Sequence, residues 1–155
     1  MRGKQAVRRK IKPDAVFGSE DLAKFINYVM KDGKKSVAEN IVYKMLEDVS
    51  RKTKVAGIEV FEKALENIKP KLEIRSKRVG GANFQVPVPV NGNRQFTLAC
   101  KWILEAARGS RKNIEFYESL SREIINAYKK EGSAIKKKED VHKMAEANKA
   151  FSQFA

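Results

Sequence analysis

The sequence predicts a mainly α-helical protein: a bundle of about six helices, a projecting two-stranded antiparallel β-ribbon and a basic N-terminal tail. Three observations predict it. Apolar residues recur at helical spacing through most of the chain. One stretch, at about 72–90, switches to period two around Gly80-Gly81. Residues 1–18 open with six cations, Arg2, Lys4, Arg8, Arg9, Lys10 and Lys12, before the first acid at Asp14. The chain thus divides into an extended basic tail, 1–18, and a single helical domain with a ribbon arm, 19–155. At about 150 residues per domain, a chain of 155 residues has room for one.

The tail buries too little apolar surface to offset the entropy of ordering it, so it is expected to be disordered when free. Helices follow. Ser19 is a good N-cap, with Glu20 and Asp21 in the first turn to complement the helix dipole. Leu22, Phe25, Ile26, Val29 and Met30 then make one apolar stripe, which Gly33 ends. Ser36-x-x-Glu39 reads as a capping box for a second helix, whose stripe is Val37, Ile41, Val42, Met45, Leu46 and Val49. A loop through Lys54 and Gly57 leads to a third, carrying Ile58, Phe61, Leu65 and Ile68, and Pro70 stops it.

In the ribbon, Leu72, Ile74, Ser76 and Arg78 alternate with Glu73, Arg75, Lys77 and Val79. Beyond Gly80-Gly81, Phe84, Val86, Val88 and Val90 alternate with Gln85, Pro87 and Pro89. Period two on both sides of a Gly-Gly turn is a hairpin. Proline donates nothing to a ladder, so Pro87 and Pro89 belong on an open edge. Two strands are marginal alone, so the ribbon should lean on helices at its base and on a partner at its tip.

The fourth helix runs from about Asn93 to Arg108, with Phe96, Ala99, Trp102, Ile103, Ala106 and Ala107 inward. The fifth starts near Asn113, carries Ile114, Tyr117, Leu120, Ile124, Ile125 and Tyr128, and stops at Gly132. The sixth runs from about Lys137 to the end, with Val141, Met144, Ala145 and Phe151 inward.

Lys plus Arg number 33 against 19 acids, a formal net charge of +14 with a sequence pI of about 9.9. Such an excess opposes compaction and points to an anionic partner. The cations are segregated. They crowd the tail; the first interhelical turn (Lys31, Lys34, Lys35); the entry to the ribbon (Lys69, Lys71, Arg75, Lys77, Arg78); the turn after the fourth helix (Arg108, Arg111, Lys112); and the last turn (Lys129, Lys130, Lys136, Lys137, Lys138). Two groups defy local preference. Lys34 and Lys35 precede a helix start, and Lys136, Lys137 and Lys138 open another. Cations there cost a few tenths of a kcal/mol each and, with free backbone N–H groups, make an anion site suited to phosphate. Cations on one ribbon limb, with Phe84, Val and Pro on the other, suit a nucleic-acid backbone with stacking or apolar contact.

Other chemistry is poorly represented. One Cys and one His exclude a disulfide framework, a Cys-based zinc knuckle and His-rich metal sites. No metal or cofactor is expected. His142 is the only candidate general base, in a polar helix beside Glu139 and Asp140, and reads as structural. Cys100, near Trp102, reads as a small core residue. Gly33-Lys34-Lys35-Ser36 lacks the upstream glycine of a phosphate loop and follows a helix rather than a strand. No enzyme and no small-molecule substrate are expected. No apolar run approaches the ~18 residues of a membrane span, and the N-terminus leads into no apolar stretch. The expectation is a cytoplasmic protein with no membrane partner.

Several strings resemble a known family: Asp32-Gly33-Lys34-Lys35-Ser36, Ala64-Leu65-Glu66-Asn67, Ser76-Lys77-Arg78-Val79-Gly80-Gly81, Gln85-Val86-Pro87-Val88, and Glu139 through Phe151 (EDVHKMAEANKAF). Long, specific and in order over nearly the whole chain, they resemble bacterial small-subunit ribosomal protein seven, the S-seven family. The resemblance implies a helical body with a β-ribbon arm. It implies a primary binder of the 3′ major domain of small-subunit rRNA that starts assembly of the subunit head. It also implies a place near the exit-site tRNA and the mRNA, beside ribosomal protein S-eleven. The family's RNA-contacting regions carry over onto Arg2, Lys4, Arg8, Arg9, Lys10 and Lys12; Lys34 and Lys35; Arg75, Lys77 and Arg78; Arg108, Arg111 and Lys112; and Lys136, Lys137 and Lys138. Family members often carry several arginines after the second strand. Here the stretch is Asn91-Gly92-Asn93-Arg94-Gln95, leaving Arg94 as its phosphate contact. The C-terminus, Ser152-Gln153-Phe154-Ala155, stands where Ala-His-Tyr is common.

The competing reading in a different class is an architectural DNA-binding protein that inserts a basic, proline-bearing ribbon into a minor groove. Such proteins usually dimerise around two arms, and this sequence has one ribbon and no two-fold seam. An RNA-processing enzyme would need paired acids or a His base beside the basic surface, and none stands out.

Overall fold

The computed structural model describes residue 3 and residues 11–154. Nothing is described of the tail cations Arg2, Lys4, Arg8, Arg9 and Lys10. Six helices and one hairpin follow in order: α1 (Glu20–Val29), α2 (Lys35–Thr53), α3 (Gly57–Ile68), β1 (Leu72–Val79), β2 (Ala82–Pro89), α4 (Gly92–Gly109), α5 (Phe116–Tyr128) and α6 (Ser133–Ala147). A short 3-10 turn, η1 (Lys149–Phe154), ends the described chain.

The predicted stripes build the core. Leu22, Phe25 and Ile26 of α1 meet Phe61 and Leu65 of α3, Val42, Met45 and Val49 of α2, Ile103 of α4, and Leu120 and Ile124 of α5 in one buried cluster. Phe25 and Phe61 pack with tilted rings 5.0 Å apart. α5 is the central element, touching α2, α3, α4 and α6. At the α2–α3 crossing, a Cβ on Gly57 would collide with the Leu46 backbone carbonyl. Only glycine lets those helices approach so closely.

Several boundaries differ from expectation. α2 opens at Lys35, with Lys34 as a cap residue that offers no side-chain bond. Left-handed backbone at Asp32 and Gly33 (φ 53° and 72°) turns the chain early and leaves Ser36 one position inside the helix. The capping box therefore does not form, and Glu39 pairs with Lys35 instead. α5 begins at Phe116 rather than near Asn113, so Ile114 lies outside it. α6 begins at Ser133, just after Gly132 at φ 94°. Gly132 therefore starts α6 rather than stopping α5. Lys136, Lys137 and Lys138 consequently sit beyond the first turn, where the dipole penalty has largely faded. α6 also ends at Ala147 instead of running on. Two residues expected inward are exposed: Val37, in the first turn of α2, and Met144 on α6.

Caps from other elements hold the ends of α5 and α6. The Asn67 amide donates to the carbonyls of Ala127 and Tyr128 at the end of α5. Buried Glu123 accepts the Ala134 N–H at the start of α6. The sequence before α2 is also fastened. One Asp14 carboxylate oxygen accepts the N–H groups of Val16 and Phe17, and the other accepts the Tyr43 hydroxyl at 2.7 Å. Burial pushes Tyr43 up, Asp14 adds to it, and its pKa reaches about 12.

Candidate nucleic-acid interface

The ribbon pairs Leu72 with Pro89 through Val79 with Ala82, eight residues on each side. Antiparallel partners share a face, so Glu73, Arg75 and Lys77 lie beside Val88, Val86 and Phe84. On this face Val86 is buried and Phe84 packs on Phe151 of η1 with ring centroids 5.2 Å apart, while Pro87 is buried on the other. α6 supports β1, and η1 supports β2. The Lys71 N–H donates to Nε2 of His142 at 3.1 Å, tying the ribbon's base to α6. The expected support at the base is therefore present, and it comes from the C-terminal elements. Burial, then Lys138 and Lys71, hold the His142 imidazole below its ordinary value and favour the neutral acceptor form.

Glu73 sits at the ribbon's root, 7% exposed. Its Oε1 accepts from Arg75 Nε at 2.7 Å and its Oε2 from Arg94 Nε at 3.0 Å. Burial raises its pKa, but the hydrogen bonds and charges of Arg94 and Arg75 outweigh that and leave it below the usual carboxylate value. Arg94 reaches this position because Asn91 caps α4, accepting the Arg94 N–H. Arg75, Asn91, Asn93, Arg94, Pro89 and Thr97 line a polar cavity of about 560 Å³ beside the pair.

A second gathering lies at the other end of the bundle. α2 packs on α1, and α5 packs on both α2 and α4. That brings the α1–α2 turn against the α4–α5 connection. Lys31, Lys34, Arg108 and Arg111 line one groove of about 360 Å³, floored by Met30, Ile41, Phe116 and exposed Val37. Residues some 75 positions apart in sequence thus share a site.

The remaining predicted cations are spread. Lys12, Lys35, Lys77, Arg78, Lys112 and Lys136 are exposed. Lys137 pairs with Glu105 at 2.6 Å, and Lys138 donates to the Asn67 carbonyl at 2.6 Å. Burial lowers Lys138, with Lys71 and Lys130 adding to it against Glu139. In the sequence Glu73 is simply one more alternating residue of the first ribbon limb. An acid among five ribbon cations was the available signal, but nothing in the spacing shows that it is buried.

Catalytic chemistry finds no footing among the described residues. The hydrogen bond recorded for His142 is to a backbone amide, not to a nucleophile or acid. Cys100 is buried, and burial pushes its thiol far above the usual range. Among the described residues no group of three or more His, Cys, Asp and Glu is placed to hold a metal ion. Among the described residues no helix is long and apolar enough to cross a membrane.

Comparison with known proteins bears on this basic surface. Residues 1–149 match the family model described as ribosomal protein S7p/S5e. The small ribosomal subunit protein uS7 of Marinobacter nauticus is 55% identical over 99% of this chain and 97% of its own. Those of a Sulfurovum species and of Thermotoga maritima are 53% and 52% identical, each over 99% of both chains. A helical body, a paired ribbon and full-length likeness at this level agree with one another, and the chain belongs to the S7p/S5e family of ribosomal proteins.

Proposed function

We propose that the chain is a primary binder of the 3′ major domain of small-subunit rRNA and nucleates assembly of the subunit head. The family is one of structural ribosomal proteins, not enzymes, so the question is which surface meets which RNA. The observation that carries the reading is the convergence of Lys31 and Lys34 with Arg108 and Arg111 in one groove. Four cations with no acid among the groove's lining residues suit phosphates. An aromatic and apolar floor suits an unstacked base.

On this reading the interface comprises the tail (Arg2, Lys4, Arg8, Arg9, Lys10, Lys12), Lys34 and Lys35, the ribbon cations Arg75, Lys77 and Arg78, Arg94, the Arg108, Arg111 and Lys112 group, and Lys136 to Lys138. Residues 1–18 act as a basic tail and residues 19–155 as one helical domain with its arm. The arm extends toward the exit-site tRNA and the mRNA, with S-eleven a neighbouring protein, in a cytoplasmic ribosome. The test is crosslinking in cells followed by sequencing of the attached RNA. Crosslinks concentrated in the 3′ major domain support the proposal. Crosslinks scattered over unrelated transcripts, or preference for duplex DNA in direct competition with that domain, overturn it.

A further inference from the structure

We infer that the ribbon root is a built phosphate site, in which Arg75 and Arg94 grip one phosphodiester and Glu73 is the positioning residue that holds them in register. The inference rests on the rRNA-binding reading above and goes beyond it by assigning a role to an acid.

Glu73 is more than nine-tenths buried, and each of its oxygens takes an arginine from a different element, Arg75 from β1 and Arg94 from α4. A guanidinium carries five N–H donors in a rigid plane. Each arginine spends one side of that plane on Glu73 and keeps donors for another acceptor. Side by side, the two guanidiniums would repel. The carboxylate between them offsets the repulsion and leaves the three groups with one net positive charge. The polar cavity beside them, which Arg75 and Arg94 both line together with Asn91 and Asn93, has room for a phosphate. The arginine side chains are 61% and 46% exposed, so the ligand side faces solvent. This arrangement of a buried acid with two partly exposed arginines ties β1 to α4, with an effect on stability that solvent screening keeps modest. It is a good arrangement for presenting a fork of donors, since pre-ordered side chains lose less entropy on binding.

This role reverses the sign expected from charge alone. Deleting a negative charge from an RNA-binding face should strengthen binding if only net charge matters. If Glu73 positions the arginines, deletion should weaken it. Glu73→Gln and Glu73→Asp are compared with the full-length chain on a transcript of the 3′ major domain. Glu73→Asp keeps the charge and shortens the reach by one methylene. Thermal melting of the free proteins reports whether each folds. The expected result is about tenfold weaker binding for both folded variants, the equivalent of one charge-assisted hydrogen bond. The slope of log affinity on log salt should also fall by about one. Arg94→Met should add little further loss in the Glu73→Gln background. Tighter binding by Glu73→Gln, unchanged binding by Glu73→Asp, or a full further loss from Arg94→Met overturns the inference. If the unaltered chain itself shows no salt-dependent affinity for the transcript, the rRNA reading fails instead.

Discussion

Two buried carboxylates sit in two regions of the molecule and use the same chemistry for different ends. Asp48 lies in the helical body, 4% exposed, and Glu73 lies at the ribbon root, 7% exposed. Each binds two cations. Those of Asp48, Arg51 and Lys52, come from the next turn of its own helix, and its third partner is Ser121 of α5. That network closes on the body and fastens α2 to α5. The cations of Glu73 come from β1 and from α4, and both line an open cavity. What a buried acid does in a chain of net charge +14 depends on where its partners originate. With both cations on its own helix, Asp48 ties α2 to α5 through Ser121, whereas cations from two separate elements make a presented pair at Glu73.

The comparison breaks if changes in the body disturb RNA contact, or if changes at the ribbon disturb the fold. The largest effect belongs to the core. Trp102 is buried on α4 in the same core cluster as Ala99 and Ile103. Trp102→Ala should cost about 3–5 kcal/mol, and the fluorescence of the free protein should already be blue-shifted. Red, quencher-accessible emission that moves on adding RNA would make Trp102 part of the interface.

Next is Asp48. Burial raises its carboxyl, but hydrogen bonds from Lys52, Ser121 and Arg51 outweigh that and bring it from the usual 3.8 to about 2. A depressed pKa contributes stability at pH values above the unfolded pKa, and that contribution disappears as pH falls through the folded value. The chain should therefore lose about 1–2 kcal/mol between roughly pH 4 and pH 2, a figure discounted because both cations are largely exposed. Asp48→Asn should flatten this part of the stability profile while leaving RNA affinity at neutral pH unchanged. An unaltered acid limb in the variant would assign the loss to other carboxylates.

A smaller effect on folding is expected from the arm. Removing residues 76–86 and closing the gap with a short turn deletes Phe84 and its contact with Phe151. An aromatic pair contributes about 0.5–1.5 kcal/mol beyond its area, so circular dichroism should show a folded helical protein with a slightly lower Tm. Glu73, Arg75 and Arg94 remain. Binding to the isolated rRNA domain should weaken without vanishing, and ribosomes carrying the variant should release exit-site tRNA faster. Unfolding of the body would make the ribbon structural. Unchanged rRNA affinity together with unchanged tRNA retention would remove the arm from the interface.

Much of this division was legible in the sequence. The stripes of α1, α3, α4 and α5 identified their buried faces, because one apolar residue per turn leaves few alternatives. Gly80-Gly81 marked the hairpin for an equally local reason. Helix ends were less legible. The starts of α2 and α6 depend on left-handed backbone at Asp32, Gly33 and Gly132, and α6 is capped by Glu123 from a different helix. No local pattern encodes a cap supplied from elsewhere. The basic clusters were visible one by one, but their meeting was not. Lys34 and Arg111 share a groove only because α5 packs on both α2 and α4. Glu73 was hidden for the same reason, since Arg94 lies 21 residues away and across an element boundary.

The measurement that tests the account most directly is the salt dependence of the chain's affinity for the 3′ major domain transcript. If the surface clusters neutralise about 6–10 phosphates, affinity should fall by about 10³–10⁵ between 50 and 200 mM salt. The Trp102→Ala protein, held below its melting temperature, should show the same slope. A slope near zero, or one that changes with the core substitution, would contradict the separation of a closed body from an electrostatic RNA-binding surface.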